Sequence, residues 1–272
     1  MSNKKIITLL TDFGLKDVYV GVMKGVIAQI NSNLKVIDLT HEIPPQNLFA
    51  ARFCLQNAYP FFPRETVHVA VVDPGVGSTR RAIAIQLSTG FLVGPDNGIF
   101  SGVLEGLEME NIEVVSLTNS EYWRTKTPST TFHGRDIFAP VAAHIGSGVK
   151  LENLGEKINP ESLVKLSLNN ITFTDSGIRG CVQHIDHFGN IITNISSSYV
   201  FGKNWSVVVN NNVDFSAGKT ISSGNTYADC KPGDLITIIG SHGFVEIAAN
   251  GGSAEEQLNL KYGDKVEICF TD

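Results

Sequence analysis

The sequence predicts two domains: an N-terminal layered α/β domain with a mostly parallel sheet over residues 1–168, and a smaller C-terminal all-β, barrel-like domain over residues 169–272. Three observations lead there. At 272 residues the chain is longer than one hydrophobic core usually organises. Its first part alternates β-branched apolar runs of strand length with stretches of helical apolar spacing, the pattern of strands joined by crossover helices. From about Lys165 the alternation gives way to short strands at close spacing with little helical periodicity, which reads as a small barrel or sandwich. The boundary falls between about residues 160 and 175.

Taken in order, Ile6 to Leu10 is a β-type run that ends at Thr11-Asp12-Phe13-Gly14. Asp17 to Ile27 follows with apolar residues at helical spacing, and Asp17 is placed to favour the helix N-terminus. Val36 to Leu39 is strand-like and runs into Thr40-His41-Glu42-Ile43-Pro44-Pro45; Ala50 to Tyr59 reads as helix, and Pro60 to Pro63 breaks it. Val67 to Val72 is nearly all apolar and β-branched, the signature of a parallel strand buried on both faces. It stops at Asp73, because Pro74 cannot extend a sheet ladder and Gly75 and Gly77 allow a sharp turn. Ala82 to Gln86 and Gly90 to Val93 look like a hairpin leading to Gly94-Pro95-Asp96-Asn97-Gly98. The Thr130-to-Pro140 stretch opens a helix with Asp136 near its start and an apolar face as far as Ile145. Beyond the boundary, Gly180 to Ile185, Ser206 to Val209, Asp234 to Ile239, Phe244 to Ala248 and Lys265 to Phe270 read as strands.

Bulk properties exclude several classes. The composition, 42% hydrophobic and 18% charged, is that of an ordinary globular protein. No segment is long and apolar enough to span a bilayer, and Met1 to Lys5 leads into the first strand without an apolar leader, so a cytoplasmic location and no membrane partner are expected. Cys54, Cys181, Cys230 and Cys269 show no CxxC spacing and read as reduced packing residues, not a disulfide framework or zinc site. A net charge of −6 without a basic cluster argues against nucleic acid as a partner.

Polar residues gather at four places: Asp12, Asp73 with Arg80, the Thr131-to-Asp136 stretch around His133, and Asp186 to Asn190. In open α/β sheets ligands bind at the carboxyl ends of strands, which is where Asp12 and Asp73 fall. Each residue also has a plain structural reading. Asp12 and Asp73 can cap turns, Arg80 can be a solvated charge, His133 can open a helix, and Asn190 can form a left-handed turn. His41 reads as loop packing, His187 as an exposed bystander, and the Tyr59-to-Pro63 aromatics as core or interface.

The segments Thr11-Asp12-Phe13-Gly14, Asp38-Leu39-Thr40-His41, Val71 to Gly77, Gly94 to Gly98, Thr131 to Asp136, Phe188-Gly189-Asn190 and Glu246-Ile247-Ala248 stand in an order that resembles a known family. That family is the S-adenosylmethionine (SAM) hydrolases, also called SAM hydroxide adenosyltransferases, relatives of the SAM-dependent fluorinase and chlorinase. The resemblance runs nearly end to end. It implies a metal-independent hydrolase, with no cofactor beside its SAM substrate, in which water or hydroxide attacks the ribose C5′ and displaces L-methionine to leave adenosine. It also implies a homotrimer with active sites between the N-domain of one subunit and the C-domain of the next. Carried over by position, the catalytic trio is Asp73, Arg80 and His133. Asp12 looks like the ribose-diol acceptor, Asp186 like the contact for the methionine ammonium, and Asn190 like an adenine-side contact; Ser241, Glu246 and Asn250 lie in the segment that closes over the nucleoside.

These roles suit the chemistry. A sulfonium is an excellent leaving group, so the enzyme needs an oriented nucleophile and neither a general acid nor a metal. His133 would hold the water and deprotonate it, while Asp73 and Arg80 fix orientation and charge; an aspartate beside an arginine stays ionised. An ionised Asp12 offers only acceptors, as two ribose hydroxyl donors require. Trp123 and Phe132 can pack in the core or against the nucleoside.

Three other functions compete with SAM hydrolysis. The related halogenases carry an aromatic residue and a hydroxyl at the positions of His133 and Gly134, and a tyrosine at that of Asp73, whose charge here would repel a halide. A non-catalytic adenosine or SAM binder would need no poised water. A metal-dependent phosphohydrolase built on Asp12, His41, Asp73 and His133 lacks any short ligand-spacing motif.

Overall fold

The computed structural model describes residues 5–168, 171–175, 177–209 and 218–271; the Met1-to-Lys4 stretch read above for its lack of an apolar leader lies outside them. The chain divides into two compact units, Met1–Leu166 and Ser167–Asp272.

The first unit is a seven-stranded sheet with helices on both faces. Its strands are β1 (Ile6–Thr11), β2 (Lys35–Thr40), β3 (Thr66–Val71), β4 (Ala82–Gln86), β5 (Gly90–Pro95), β6 (Glu113–Ser116) and β7 (Glu156–Lys157), in the spatial order β2-β1-β3-β5-β4-β6-β7. The first four in that order run parallel, as expected. The other pairings are antiparallel, so the sheet is mixed. The cause is local: β4 and β5 are joined by a tight turn in which Leu87 N–H donates to Gly90 O at 2.8 Å, and a hairpin reverses direction without a crossover helix.

Strand β3 is buried at every position, which is why its sequence is nearly all apolar, interrupted by His68, and not a regular apolar–polar alternation. Val67, Val69 and Val71 pack with helices α1 (Tyr19–Ile30) and α4 (Ala139–Gly146) on one face. Ala70 and the following Val72 pack with α2 (Leu48–Ala58) and the short α3 (Ser101–Leu104) on the other. Each buried Val or Leu stabilises this arrangement by roughly 1.5–3 kcal/mol. Helix α1 starts at Tyr19, with Val18 as its N-cap and no acidic residue in its first turn, so Asp17 stays outside the helix it was expected to favour.

The second unit is antiparallel and barrel-like. Its described residues contain β8 (Thr172–Thr174), β9 (Gly177–Ile185), β10 (Ile191–Ser196), β11 (Asn204–Val209), β12 (Lys219–Ser222), β13 (Leu235–Ile239), β14 (Phe244–Ala249) and β15 (Lys265–Thr271), together with the short helix α5 (Ala254–Leu258). The order is β12-β11-β15-β9-β10-β14-β13, with β8 paired to β9. The two end strands then meet: Ser223 bridges Thr237, Gly224 N–H donates to Thr237 O at 2.8 Å, and Thr237 Oγ1 donates to Ser222 O at 3.1 Å. That closure satisfies edges that would otherwise be open to another chain. The four cysteines are free thiols, as read from their spacing.

Candidate active site

Register places the acidic residues together. Strand β1 runs parallel to β3 with Thr11 opposite Val71, and β3 runs parallel to β5 with Val69 opposite Val93. Asp12, Asp73 and Asp96 therefore lie just past the carboxyl ends of three neighbouring parallel strands, the edge of an α/β sheet where ligands bind.

Asp73 is held by the turn that follows it. After it the chain folds back through a compact turn: Val76 N–H donates to Asp73 O at 3.2 Å, Ser78 N–H to Gly75 O at 3.1 Å, and Arg80 N–H to Ser78 Oγ at 3.2 Å. The turn returns Arg80 onto the carboxylate seven residues earlier. Its Nε donates to both Asp73 oxygens at 3.0 Å, and its Nη2 also donates to Oδ2. Both side chains are buried, with 10% of Arg80 and 5% of Asp73 exposed, so Arg80 is no solvated surface charge. Its guanidinium carbon lies 5.3 Å from the centre of the Phe138 ring.

The same Nη2 reaches His133 Nδ1 at 2.7 Å. A guanidinium has only donors, so Nδ1 is the acceptor, and a neutral ring carries its proton on Nε2. Desolvation and the Arg80 charge push the imidazole below its ordinary 6.5, against the opposing pull of Asp73 and Asp136. The ring is therefore neutral at pH 7, in one tautomer.

Asp12 Oδ2 accepts from Gln46 N–H at 2.8 Å, which ties the end of β1 to a turn whose Gln46 has φ 65°. Beneath it His41 is 3% exposed; its Nδ1 contacts Thr11 Oγ1 at 2.8 Å, and its Nε2 lies 3.1 Å from Asp38 Oδ1. His41 packs the loop, as the sequence suggested. Asp96 has a structural job: Arg81 Nε donates to Oδ2 at 2.8 Å and Val164 N–H to Oδ1 at 2.9 Å. Next to it, Asn97 Nδ2 donates to Val72 O at 2.8 Å and steadies the residue before Asp73. Among the described residues no group of three or more His, Cys, Asp or Glu is arranged to hold a metal ion.

The second unit gathers another set. Asp186 Oδ1 accepts from the Phe188 and Asn190 amides at 2.9 Å, and Oδ2 accepts from Asn190 Nδ2 at 3.0 Å, so Asp186 and Asn190 hold one turn together. Gly189 in that turn has φ 77°, and a Cβ there would lie 2.1 Å from Ser253 Oγ; only glycine fits. Glu246 is buried on β14 between Tyr227, whose hydroxyl donates to Oε1 at 2.9 Å, and His242, whose Nε2 is 3.1 Å from Oε2. Burial, the hydrogen bond to Glu246 and the charges of Glu246 and Asp186 push the Tyr227 hydroxyl up to about 12. Ser241 is exposed in the turn between β13 and β14, and Asn250 Nδ2 donates to Cys230 O at 2.7 Å.

Comparison with known proteins matches both units to one family. The model of the SAM hydroxide adenosyltransferase N-terminal domain matches residues 7–155, and that of its C-terminal domain matches residues 180–267. The chain belongs to the SAM hydroxide adenosyltransferase family. It is 37% identical over 265 residues to an (R)-S-adenosyl-L-methionine hydrolase of Salinispora tropica, covering 96% of this chain and 97% of that one. A solved protein of Thermotoga maritima, described as an uncharacterized conserved protein, superposes with a TM-score of 0.88 at 38% identity, over 97% of this chain and 99% of that one. A fluorinase of Actinopolyspora mzabensis is more distant, at 26% identity over 98% of this chain and 97% of its own length.

In this SAM hydroxide adenosyltransferase family member the fold brings Asp73, Arg80 and His133 into one hydrogen-bonded set. Asp12 stands at the neighbouring strand end, while Asp186, Asn190, Ser241, Glu246 and Asn250 belong to the barrel-like unit. Sequence reasoning missed Tyr227 and His242 as the partners of Glu246. Residue spacing carried no signal for Tyr227, because β13 intervenes between it and Glu246.

Proposed function

We propose that this protein hydrolyses SAM to adenosine and L-methionine by SN2 attack of water, or hydroxide, on the ribose C5′. The observation that carries the reading is the Asp73–Arg80–His133 set, which fixes one imidazole in one protonation state at a strand end. The name of the Salinispora relative supports the substrate. In the step, an O–C5′ bond forms and the C5′–S bond breaks. Its electron pair leaves on the methionine sulfur, and when water is the nucleophile the oxygen newly bonded to C5′ gives up its extra proton to solvent water.

The tautomer refines the role of His133. With its Nδ1 lone pair given to Arg80, the ring presents Nε2–H and holds the water as a donor, leaving a water lone pair for C5′. Acting as a base requires the other tautomer, with Arg80 withdrawn from Nδ1. Asp73 keeps the guanidinium in place. In the same proposal Asp12 accepts from the ribose diol, Asp186 meets the methionine ammonium, Asn190 lies by the adenine, and Ser241, Glu246 and Asn250 enclose the nucleoside. No metal or cofactor takes part, because a sulfonium leaves without Lewis-acid help. Assembly as a homotrimer and a cytoplasmic location complete the reading and rest on the family resemblance and the sequence.

The test is incubation of the purified protein with SAM in buffer containing a strong chelator, with adenosine and methionine followed by chromatography. Equal amounts of both products are expected, with turnover lost in His133→Ala. Bound but intact SAM would replace this reading with a binding protein, and activity abolished by the chelator would end the metal-free mechanism. The mass in solution, by light scattering, should be that of three chains.

A further inference from the structure

We propose that Asp136 is a positioning residue that clamps the 124–133 loop shut, and so sets both the place of His133 and the shape of the turn that carries Arg80. The proposal rests on the SAM-hydrolase reading for its kinetic consequences and on geometry for its substance. The sequence places Asp136 near the start of a helix and says nothing of what its carboxylate meets. The structure gives the carboxylate its partners.

Asp136 is fully buried. Its Oδ1 accepts from Arg124 Nε at 2.5 Å and Arg135 Nε at 2.7 Å, and its Oδ2 accepts from Arg135 Nη2 and the Ser129 amide, both at 2.8 Å. Its backbone carbonyl accepts from the Arg124 amide at 3.0 Å. Pro140 lies four residues on and has no N–H to offer that carbonyl, so the helix itself frees the acceptor. Arg124 is thus bound twice to the residue that ends the excursion, and Ser129 is bound midway along it. Burial opposes ionisation, but the bonds from Arg135, Arg124 and the Ser129 amide outweigh it and hold the carboxyl well below the usual range.

The loop held this way touches both arms of the trio. His133 directly precedes the π-helical turn Gly134–Phe138 that contains Asp136, a widened turn of the kind found at functional sites. On the other side, Thr130 lies against Gly77: a Cβ on Gly77, which has φ 77°, would sit 2.4 Å from Thr130 O. Gly77 belongs to the turn that returns Arg80 to Asp73. One buried carboxylate therefore governs the loop that presses on the Arg80 turn and the helix start that presents His133. Displacement of a catalytic group by about 1 Å costs on the order of 100-fold in rate.

The experiment compares wild type with Asp136→Asn in two ways. Trypsin nicking after Lys126, whose side chain is 78% exposed in the loop, reads the clamp without reference to activity. Steady-state kinetics with SAM reads its consequence. Nicking at least ten times faster is expected, with kcat lower by about 100-fold and KM within threefold. Arg52→Met, which removes a buried arginine of α2 outside the loop, should lower Tm without that kcat loss. A folded Asp136→Asn that is nicked at the wild-type rate, or that keeps kcat within threefold of wild type, would overturn the proposal, as would a loss falling mainly on KM. Should Asp136→Asn not fold, Arg124→Met weakens the clamp from its 41% exposed side, and an unchanged nicking rate and kcat in that variant would overturn it equally. If wild type leaves SAM intact, the substrate reading fails, while the nicking rates still decide the clamp.

Discussion

Asp73 and Glu246 are buried to the same degree, each side chain 5% exposed, and the molecule treats them in opposite ways. Asp73 is matched by a guanidinium, a fixed cation that donates to both its oxygens and still reaches an imidazole. Glu246 is held by a phenol and an imidazole, groups that can themselves titrate. The first arrangement keeps its histidine neutral and in one tautomer. In the second, burial and then the carboxylate push the Tyr227 hydroxyl up to about 12. A charge meant to orient a reacting group is best answered by a cation that cannot lose its proton.

The contrast between the two carboxylates depends most on Arg80. Arg80→Met leaves the Asp73 carboxylate buried without its cation, which should cost about 3–5 kcal/mol in urea unfolding. Adenosine formation should fall by about 10²–10³-fold. If that variant were no less stable than Glu246→Gln, the contrast between the two sites would disappear.

Next in size is His133. His133→Ala should lower kcat by about 10²–10⁴-fold with a stability change of about 1 kcal/mol or less. In wild type, kcat/KM should be level above pH 6.5 and fall as pH drops through a value below 6.5, because an imidazolium cannot accept from Arg80. An acid limb at or above 6.5 would contradict the Arg80–His133 geometry.

Acid should weaken the two units for a shared reason. Burial lowers His68 in the first unit to about 4, and burial, against the pull of Asp186, lowers His184 in the second to about 4. Each is depressed in the folded protein relative to 6.5 in the unfolded chain. Stability is therefore full above pH 6.5 and lost as pH falls from 6.5 towards 4, where the unfolded state binds the extra protons. For His68 the loss reaches up to about 3 kcal/mol. Urea unfolding at pH 7 and pH 4.5 should show it, and a His68→Gln variant should be less sensitive to that change.

The smallest effect belongs to Glu246. Glu246→Gln should cost about 1 kcal/mol and let Tyr227 ionise at lower pH, from about 12 back towards 10, visible as a difference in ultraviolet absorbance between variant and wild type. An unchanged phenol titration would show that desolvation alone sets Tyr227.

Much of this was legible because local chemistry repeats itself. The Val67-to-Val72 run announces a strand buried on two faces, and Asp-Pro-Gly after it announces a turn, so a carboxylate at a strand end follows from six or seven consecutive residues. The short β6 and β7 were not legible, since β7 holds only Glu156 and Lys157 and exists because β6 lies beside it. Nor was the closure of the barrel, which depends on Ser223 meeting Thr237. Asp136 shows the same limit at a single residue: its position at a helix start was plain, but its partners lie one residue before it and seven and twelve residues before it.

By itself the sequence determined where strands end, which of those ends carry carboxylates, and the order of motifs that marks the SAM hydroxide adenosyltransferase family. Those properties depend on neighbouring residues and on the period of the apolar pattern. Only the tertiary structure decided that Arg80 answers Asp73 and reaches His133 53 positions later, that Asp136 closes a loop, and that Glu246 meets Tyr227. A hydrogen bond weakens steeply once donor and acceptor leave a narrow range of distance and angle, and that placement is set by the packing of whole elements.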